Sequence, residues 1–327
     1  MSFYNRIKSI NSYIKGKTTS GNVYRLVVEI SNACNLKCSM CPRNNMERKV
    51  EFMTPKVFES IIKDNKETLE FVSLNGYGEP LMHPDLSKFL NICKKYKIKS
   101  GISTNCTLLD ENRSKELLED PPDQIILAID GATSKSYEKV RVGANFDIVI
   151  NNVKRFLDMR KEYKKKPFVV LQCIYLTETK SQINQFKELF KGYHYDAIRI
   201  RQLTHSGRDR SDSDYSNPMC SCSWIWNEPM ILSDGTVVPC CQDVNGVLKL
   251  GNIFNDPLSK LWNTGSINSL REKHSSNMRK TINLCEQCNM YQPSWPLLLC
   301  STFFNTKDLN MILPYAETML SMHRYCK

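Results

Sequence analysis

The chain has 327 residues, a formal net charge of +11, and 41% hydrophobic against 24% charged residues. This composition is ordinary for a globular protein, and the length suffices for a barrel-sized domain together with a smaller one. No apolar run reaches the ~18 residues of a membrane-spanning helix, and the N-terminus lacks the apolar core of a secretory signal. We therefore expect a cytoplasmic protein with no membrane partner.

The N-terminal stretch has an amphipathic pattern, with Phe3, Ile7, Ile10 and Ile14 on one side of a helix that we expect to pack against the domain. Short β-like runs then alternate with helical patterns as far as residue 204. We predict six strands: Val23–Ile30, Glu70–Leu74, Ile98–Ser103, Gln124–Ile129, Phe168–Ile174 and Ala197–Arg201. This alternation predicts a parallel α/β sheet, either open or an incomplete barrel, with ligands at the strand C-terminal ends.

The composition of the sequence changes after residue 204. Residues 205–218 are polar and rich in Ser and Asp, which is typical of a linker or a flap. A hairpin with a Ser-Asp-Gly turn and a short helix near Leu258–Trp262 follow. We divide the chain into a lead-in helix, a barrel, a linker, a cysteine-rich domain and an extension: residues 1–22, 23–204, 205–218, 219–300 and 301–327.

Fourteen cysteines in a chain without a secretory signal favour metal binding over a disulfide framework. The first three clustered cysteines, Cys34, Cys38 and Cys41, follow the first predicted strand on the polar loop "ACNLKCSMC". Three thiolates can hold three irons of a four-iron cluster and leave the fourth iron open to chelate a small molecule. The alternative is three unrelated packing thiols, but the polar residues of the loop argue against a core position.

The pattern Cys34-x3-Cys38-x2-Cys41, followed by α/β alternation, resembles the radical S-adenosylmethionine (radical SAM) superfamily. The resemblance implies a partial (βα)6 parallel barrel and a [4Fe-4S] cluster whose unique iron binds the methionyl amine and carboxylate of SAM. It implies reductive cleavage of SAM to a 5′-deoxyadenosyl radical that abstracts a hydrogen atom from substrate. A flavodoxin- or ferredoxin-type reductant is the implied partner.

Later segments extend the resemblance in chain order. "NGYGEP" (75–80) resembles the Gly-Gly-Glu-Pro element that binds the methionyl ammonium, and "GISTNC" (101–106) ends the third strand near the ribose or carboxylate. "LAIDG" (127–131) carries Ala128 where the family commonly has serine, so carboxylate binding falls more on the arginine of "YEKVRVG". The implied SAM contacts are Met40, Gly78, Glu79, Ser103, Asn105 and Arg141.

A second set of cysteines resembles the SPASM and twitch extensions that follow some radical SAM barrels. Cys222-x12-Gly235-x4-Cys240 and Cys285-x2-Cys288 would supply four ligands to an auxiliary [4Fe-4S] cluster. Two later cysteines of a full SPASM domain are absent, since Ser294 and Leu298 stand in their places. The count therefore favours one auxiliary cluster, and two [4Fe-4S] clusters in all.

Two alternatives remain for this second set. Four thiolates at this spacing also suit structural zinc. The neighbouring or later cysteines Cys220, Cys241 and Cys300 are candidates to replace one of the four ligands.

A fully ligated auxiliary cluster suggests oxidation of a small-molecule or sugar-type alcohol, with the cluster accepting an electron. Arg199 and Arg201 point the same way at the end of the last barrel strand and are candidates to hold an anionic substrate group. The alternative function is radical modification of a ribosomal peptide or protein side chain. A zinc-containing nucleic-acid-binding protein is a remoter alternative, and we expect no nucleic acid partner because no module with interleaved aromatic and basic residues occurs.

Overall fold

The computed structural model describes residues 2–176, 179–203, 221–286 and 288. The predicted linker 205–218 and extension 301–327 lie outside the described residues, as do Cys220 and Cys300. The domain boundaries given above remain predictions.

One sheet organises the described residues. Its nine strands, β1 to β9 in chain order, are Arg25–Val28, Phe71–Ser73, Lys99–Thr104, Gln124–Ala128, Phe168–Tyr175, Ala197–Gln202, Met230–Ile231, Thr236–Val238 and Gly251–Asn252. The sheet order is β6-β5-β4-β3-β2-β1-β7-β8-β9. Strands β1 to β6 run parallel to their neighbours and correspond to the six predicted strands, so the partial parallel barrel is confirmed.

The cysteine-rich region continues this sheet. Strand β7 pairs in parallel with β1, with Val27 opposite Met230, and the hairpin partner β8 then runs antiparallel to β7. The predicted hairpin is confirmed, and Gly235 at its turn has a φ of +82°, which a side chain would disfavour. The second cysteine set is thereby held beside the first barrel strand.

Eleven α-helices complete the described part of the chain. They are, from α1 to α11, Ser2–Ile14, Pro55–Asn65, Leu86–Lys95, Glu111–Glu119, Ser134–Val140, Phe146–Met159, Ile183–Leu189, Trp224–Asn227, Leu258–Leu261, Gly265–Ser275 and Asn283–Glu286. None of these helices combines the length and apolarity needed to cross a membrane.

The helices between barrel strands pack their apolar faces on the sheet. The Thr54 side chain caps α2 by accepting from Val57 N, a role that suits the Thr-Pro pair at the start of a helix. Phe58 of α2, Phe89 of α3 and Phe156 of α6 have no exposed surface and lie in one core cluster with the strands. This packed outer layer fixes the strand ends at which the candidate site lies.

Helix α1 forms and packs as expected, but on a different face. Ile10 is buried, whereas Ile7 and Ile14 are 39% and 48% exposed. The buried face includes Arg6, which pairs with Glu70 at the start of β2. Polar partners elsewhere in the chain therefore determine the orientation of α1, and the predicted apolar stripe is wrong.

Candidate functional site

The first cysteine loop is clamped by backbone pairing. The N–H of Lys37 donates to Val142 O at 3.0 Å, and the N–H of Ser39 donates to Val140 O at 2.9 Å. This pairing places Arg141 against the loop, with Nη1 donating to Cys38 Sγ at 3.6 Å. Two segments far apart in sequence thus meet at the thiols.

The three thiols lie within electrostatic reach of one another. Cys38 is buried, Cys34 and Cys41 are half-buried, and burial raises the pKa of the last two. A charge on Cys38 raises both pKa values further, while the cation Arg43 opposes this effect. Iron deprotonates coordinating thiols outright, so the donor set of three thiols with nearby cations fits an anionic iron–sulfur cluster.

Arg141 forms a buried ion pair beneath the loop. Its Nη2 lies 2.5 Å from Oδ2 of Asp130, a fully buried carboxylate that also accepts from Ile174 N at 2.7 Å. Burial alone would lower the pKa of Arg141, but Asp130 and Cys38 together raise it. Nε of Arg141 is buried without a hydrogen-bond partner among the described residues. The guanidinium therefore retains donor capacity at the position from which a SAM carboxylate contact was expected.

Gly78 and Glu79 fasten the second strand to the cysteine loop. A Cβ at Gly78 would lie 2.3 Å from Ser31 O and 2.6 Å from Ala33 O, so only glycine permits this approach. The N–H of Glu79 donates to Ala33 O at 2.8 Å. The Glu79 carboxylate accepts from Asn105 N at 2.8 Å, and burial raises its pKa. Both residues lie where the sequence placed them, next to the thiols.

Asn105 and Ser103 have different surroundings. Nδ2 of Asn105 donates to Asn35 Oδ1 at 3.0 Å and lies 4.0 Å from Cys34 Sγ, while its Oδ1 accepts from Thr107 N. The Asn105 side chain thus braces the cysteine loop. Ser103, half-buried at the end of β3, donates its N–H to Asn75 Oδ1. Met40 is half-buried in the turn before Cys41.

The four cysteines of the second set border one cavity. Cys222, Cys240, Cys285 and Cys288 line it together with an apolar wall that includes Ile225, Leu248, Leu270 and Leu284. Cys241 is not among the lining residues, and its carbonyl accepts from Tyr77 Oη at 2.6 Å. The structure therefore brings the predicted set together and separates Cys240 from its neighbour.

Burial dominates the acid–base properties of this cavity. Together with the charges of the other thiols, burial raises the pKa of Cys222 and of Cys285 to about 12. The pKa of Cys240 also lies well above its ordinary value. Within the described residues, no three Cys, His, Asp or Glu side chains are arranged for a single metal ion. Four thiols around an apolar-walled cavity fit a cluster with no open position.

Two further residues border the cavity and have no sequence signal. Arg279 donates from Nε to Cys285 O at 3.0 Å and also to Cys288 O, which fixes the turn carrying these thiols. Nδ1 of His274 accepts from Cys222 N at 3.1 Å. Burial, followed by the charge of Arg279, lowers the pKa of His274 to about 4. Neither residue belongs to a motif that the sequence analysis recognised, so it missed both.

A buried ion pair joins the two cysteine regions. Glu29, at the end of β1, has no exposed surface and forms a two-pronged pair with Arg48 at 2.8 and 3.0 Å. Glu29 also accepts from Ser233 N in the hairpin and from Tyr77 N, while Arg48 Nε donates to Val244 O. Sequence analysis did not identify this network.

Arg199 and Arg201 lie on the face of β6 opposite the helices, because Ile198 and Ile200 pack against the outer core. Arg199 donates to Oε1 of Gln172 on β5. Burial raises the pKa of Cys241 to about 11, and the charge of Arg201 opposes this rise. The charge of Arg201 therefore acts at Cys241 in the cysteine-rich region.

Comparisons with known proteins agree with these arrangements. Residues 28–190 match the family model "Radical SAM superfamily", and residues 220–289 match "Iron-sulfur cluster-binding domain" (SPASM). The tungsten-containing aldehyde ferredoxin oxidoreductase cofactor-modifying protein of Pyrococcus furiosus is 27% identical over 54% of this chain and 51% of its own length. The chain thus matches about half of that relative.

Other similar proteins match over more of their length. The S-adenosyl-L-methionine-dependent 2-deoxy-scyllo-inosamine dehydrogenase of Niallia circulans is 23% identical over 80% of this chain and 91% of its own. The structure of BtrN with AdoMet and 2-DOIA gives a TM-score of 0.56 at 20% identity, covering 82% and 93% of the two chains. Streptococcus suis SuiB gives 0.66 at 18% identity, covering 84% and 73%. At these identities the structural likeness establishes the fold.

Proposed function

Since the chain belongs to the radical SAM superfamily and carries a SPASM-type domain, we propose that this enzyme oxidises an alcohol carbon of a small, sugar-type molecule. The observation that carries the proposal is the cavity bordered by four thiols, in a region that is hydrogen-bonded to the segment after the three-cysteine loop. The first site leaves a coordination position for SAM, and the second leaves none. A site without an open position is suited to electron transfer or to shaping the pocket.

We assign the first cluster to Cys34, Cys38 and Cys41. When bound there, the cluster and SAM supply a 5′-deoxyadenosyl radical, after one electron arrives from a flavodoxin- or ferredoxin-type donor. The chain contributes the guanidinium of Arg141 toward the SAM carboxylate. The backbone beside Gly78 and Glu79 contributes acceptors toward the ammonium.

The remaining SAM contacts are assigned by position. Ser103 lies at the C-terminal end of β3 and is assigned to the ribose or the carboxylate. Met40 packs next to Cys41 and is assigned to the adenine. Asn105 is assigned a supporting role through Asn35 and Thr107, because its amide is already engaged with them.

We assign the auxiliary [4Fe-4S] cluster to Cys222, Cys240, Cys285 and Cys288. Loss of a hydrogen atom from the alcohol carbon, of a proton from its hydroxyl and of one further electron would oxidise the substrate, and a cluster held by these four cysteines would supply the acceptor for that electron. The product is a ketone, and the substrate has lost two electrons and two protons in all. The similarity to a 2-deoxy-scyllo-inosamine dehydrogenase along most of both chains supports this outcome.

Arg199 and Arg201 are proposed to hold the substrate. Their side chains face the barrel interior, and the charge of Arg201 lowers the pKa of Cys241, the neighbour of the proposed ligand Cys240. A guanidinium there suits a phosphate, a carboxylate or a set of hydroxyl groups. The substrate would then lie between the two cysteine sites.

Peptide modification is the second candidate. SuiB, which shares this fold, has been solved with a precursor peptide named SuiA. A peptide side chain held near Arg201 would undergo the same hydrogen abstraction. The two candidates differ in the size of the substrate.

Deuterium transfer tests the proposal. Reconstituted enzyme, SAM and dithionite are incubated with aminocyclitols and sugars deuterated at the alcohol carbon, and 5′-deoxyadenosine is analysed by mass spectrometry. We expect one deuterium in 5′-deoxyadenosine together with a ketone product. The Cys240→Ala variant should still transfer deuterium but release little ketone. Transfer from labelled peptides alone would support the second candidate and overturn the first.

A further inference from the structure

His274 stands in the last turn of α10 with its ring held at the edge of the auxiliary cavity. The backbone N–H of Cys222 donates to Nδ1 at 3.1 Å, and the Ser221 hydroxyl donates to the His274 carbonyl at 2.9 Å. His274 is 3% exposed and lines the cavity with the four cysteines. Its orientation is therefore fixed by the same segment that carries the first cysteine of the set.

The hydrogen bond from Cys222 determines the tautomer. A ring nitrogen that accepts an N–H carries no proton, so the imidazole proton of His274 is on Nε2. This Nε2 is buried and has no hydrogen-bond partner among the described residues. A buried N–H donor without an acceptor is unfavourable. The site thus contains a donor prepared for an acceptor that the protein itself does not supply.

No side chain that lines the cavity, Gln242 included, accepts a hydrogen bond from Nε2 among the described residues. Leu270, Leu284 and Ile225 are apolar cavity residues. Arg279, the charged group whose effect reaches His274, carries only donors and uses them on Cys285 O and Cys288 O. The acceptor that matches this donor is a negatively charged sulfur within the cavity.

We propose that the Nε2–H of His274 donates a hydrogen bond to a sulfur of the auxiliary iron–sulfur cluster, and so raises the reduction potential of that cluster. This inference rests on the proposed assignment of an auxiliary cluster to the four cysteines. A reduced cluster carries more negative charge than an oxidised one, so the hydrogen bond strengthens on reduction. His274 thereby makes the cluster a better electron acceptor without contacting the substrate.

Two substitutions of His274 distinguish the role of Nδ1 from the role of Nε2. His274→Asn keeps an acceptor near the Nδ1 position for Cys222 N but has no group that reaches the Nε2 position. His274→Gln places an amide N–H near the Nε2 position but loses the acceptor for Cys222. A general packing role would be disturbed by both, whereas the proposed hydrogen bond is lost only in the first.

The experiment is redox potentiometry followed by electron paramagnetic resonance. The full chain with Cys34, Cys38 and Cys41 all replaced by Ala retains only the auxiliary cluster and isolates its signal. We expect His274→Asn to make one-electron reduction about tenfold less favourable, a fall of about 59 mV. His274→Gln should keep most of the wild-type potential. Weak coupling between 15N-labelled histidine and the reduced cluster should be present in wild type and absent in His274→Asn.

The outcomes distinguish failure of the auxiliary-cluster assignment from failure of the role proposed for His274. If the isolating variant binds no iron–sulfur cluster, the proposed function fails. If the cluster is present but His274→Asn leaves its potential unchanged, or both variants shift it equally, the role of His274 is overturned. Strong nitrogen coupling typical of direct iron ligation would overturn it as well.

Discussion

The two cysteine sites differ in how the chain builds them. The first takes three thiols from one short loop, which backbone pairing with residues 140–142 holds in place. The second takes four thiols from three separate segments and encloses them in one cavity. Three protein thiols leave one iron of a four-iron cluster without a protein ligand, whereas four thiols leave none. The comparison shows how one chain builds a three-thiol and a four-thiol site in different ways.

Buried residues connect the segments that carry these two sites. Glu29 binds both Arg48, downstream of the first loop, and Ser233 of the hairpin. Tyr77 reaches the carbonyl of Cys241 from the loop after β2. These hydrogen bonds and the ion pair therefore hold the hairpin against the barrel.

Removing a thiol from the first site should have the largest effect. In Cys38→Ala we expect 5′-deoxyadenosine formation to fall to background and the iron content to fall from about eight to about four per chain. Chromatographic and iron analyses of reconstituted protein provide the measurements. Cys93→Ala, in the buried core of α3, is the matched control and should keep both. Retained SAM cleavage in Cys38→Ala would contradict the assignment of SAM binding to the three-thiol site.

Breaking the buried ion pair between Glu29 and Arg48 should destabilise the contact between the hairpin and the barrel. Glu29→Gln leaves the 11%-exposed Arg48 without its carboxylate, which we expect to lower the free energy of unfolding by about 3 kcal/mol. Chemical denaturation followed by circular dichroism measures this change. Adding Arg48→Met should recover part of the loss. An unchanged midpoint in the single variant would show that Glu29 does not hold the hairpin.

A smaller effect is expected at Tyr77. Tyr77→Phe removes the hydroxyl that donates to Cys241 O and should cost about 1 kcal/mol in the same assay. Tyr4→Phe, at a 69%-exposed position, is the control and should cost nothing measurable. Equal effects of the two variants would contradict a specific role for the bridging hydroxyl.

The smallest effect concerns the pH dependence of the barrel framework, away from both sites. Burial lowers the pKa of His83 in the folded state below its ordinary 6.5. The unfolded chain then binds more protons below pH 6.5, so the free energy of unfolding falls as the pH drops through that value. We expect His83→Gln to reduce this fall and to leave the slope above pH 6.5 unchanged. Denaturation series at several pH values test the sign, and identical slopes below pH 6.5 would refute it.

The barrel is well predicted because its signals are local. Several of the six strands are short apolar runs, and the Thr54-Pro55 pair marks the start of α2 through the hydrogen bond from Val57 N to the Thr54 side chain. The burial of Phe58 and Val153 follows from helical spacing alone. Cysteine spacing identifies both thiol sets for the same reason.

The missed features depend on contacts between distant residues. Pairing of β1 with β7 joins segments about 200 residues apart, and no spacing rule specifies that register. The buried face of α1 contains Ser9 and Ser12, which become favourable inside only through partners such as Ser20. His274 gains its place from an amide of Cys222, which sequence patterns do not reveal.

The adjacent cysteines Cys240 and Cys241 also could not be told apart from the sequence. Sequence analysis left open which of them joins the cluster. In the structure Cys240 lines the cavity, and Cys241 lies toward Tyr77 and Arg201. Side-chain direction at a strand end requires the strand register, which composition and spacing leave undetermined.

The most direct test of this account is electron paramagnetic resonance of the reduced, reconstituted protein with and without SAM. We predict two cluster signals, of which SAM shifts one, and that signal should be missing in Cys38→Ala. A SAM-sensitive signal that survives in Cys38→Ala but disappears in Cys240→Ala, or a protein in which SAM shifts neither signal, would contradict the assignment of open and closed sites.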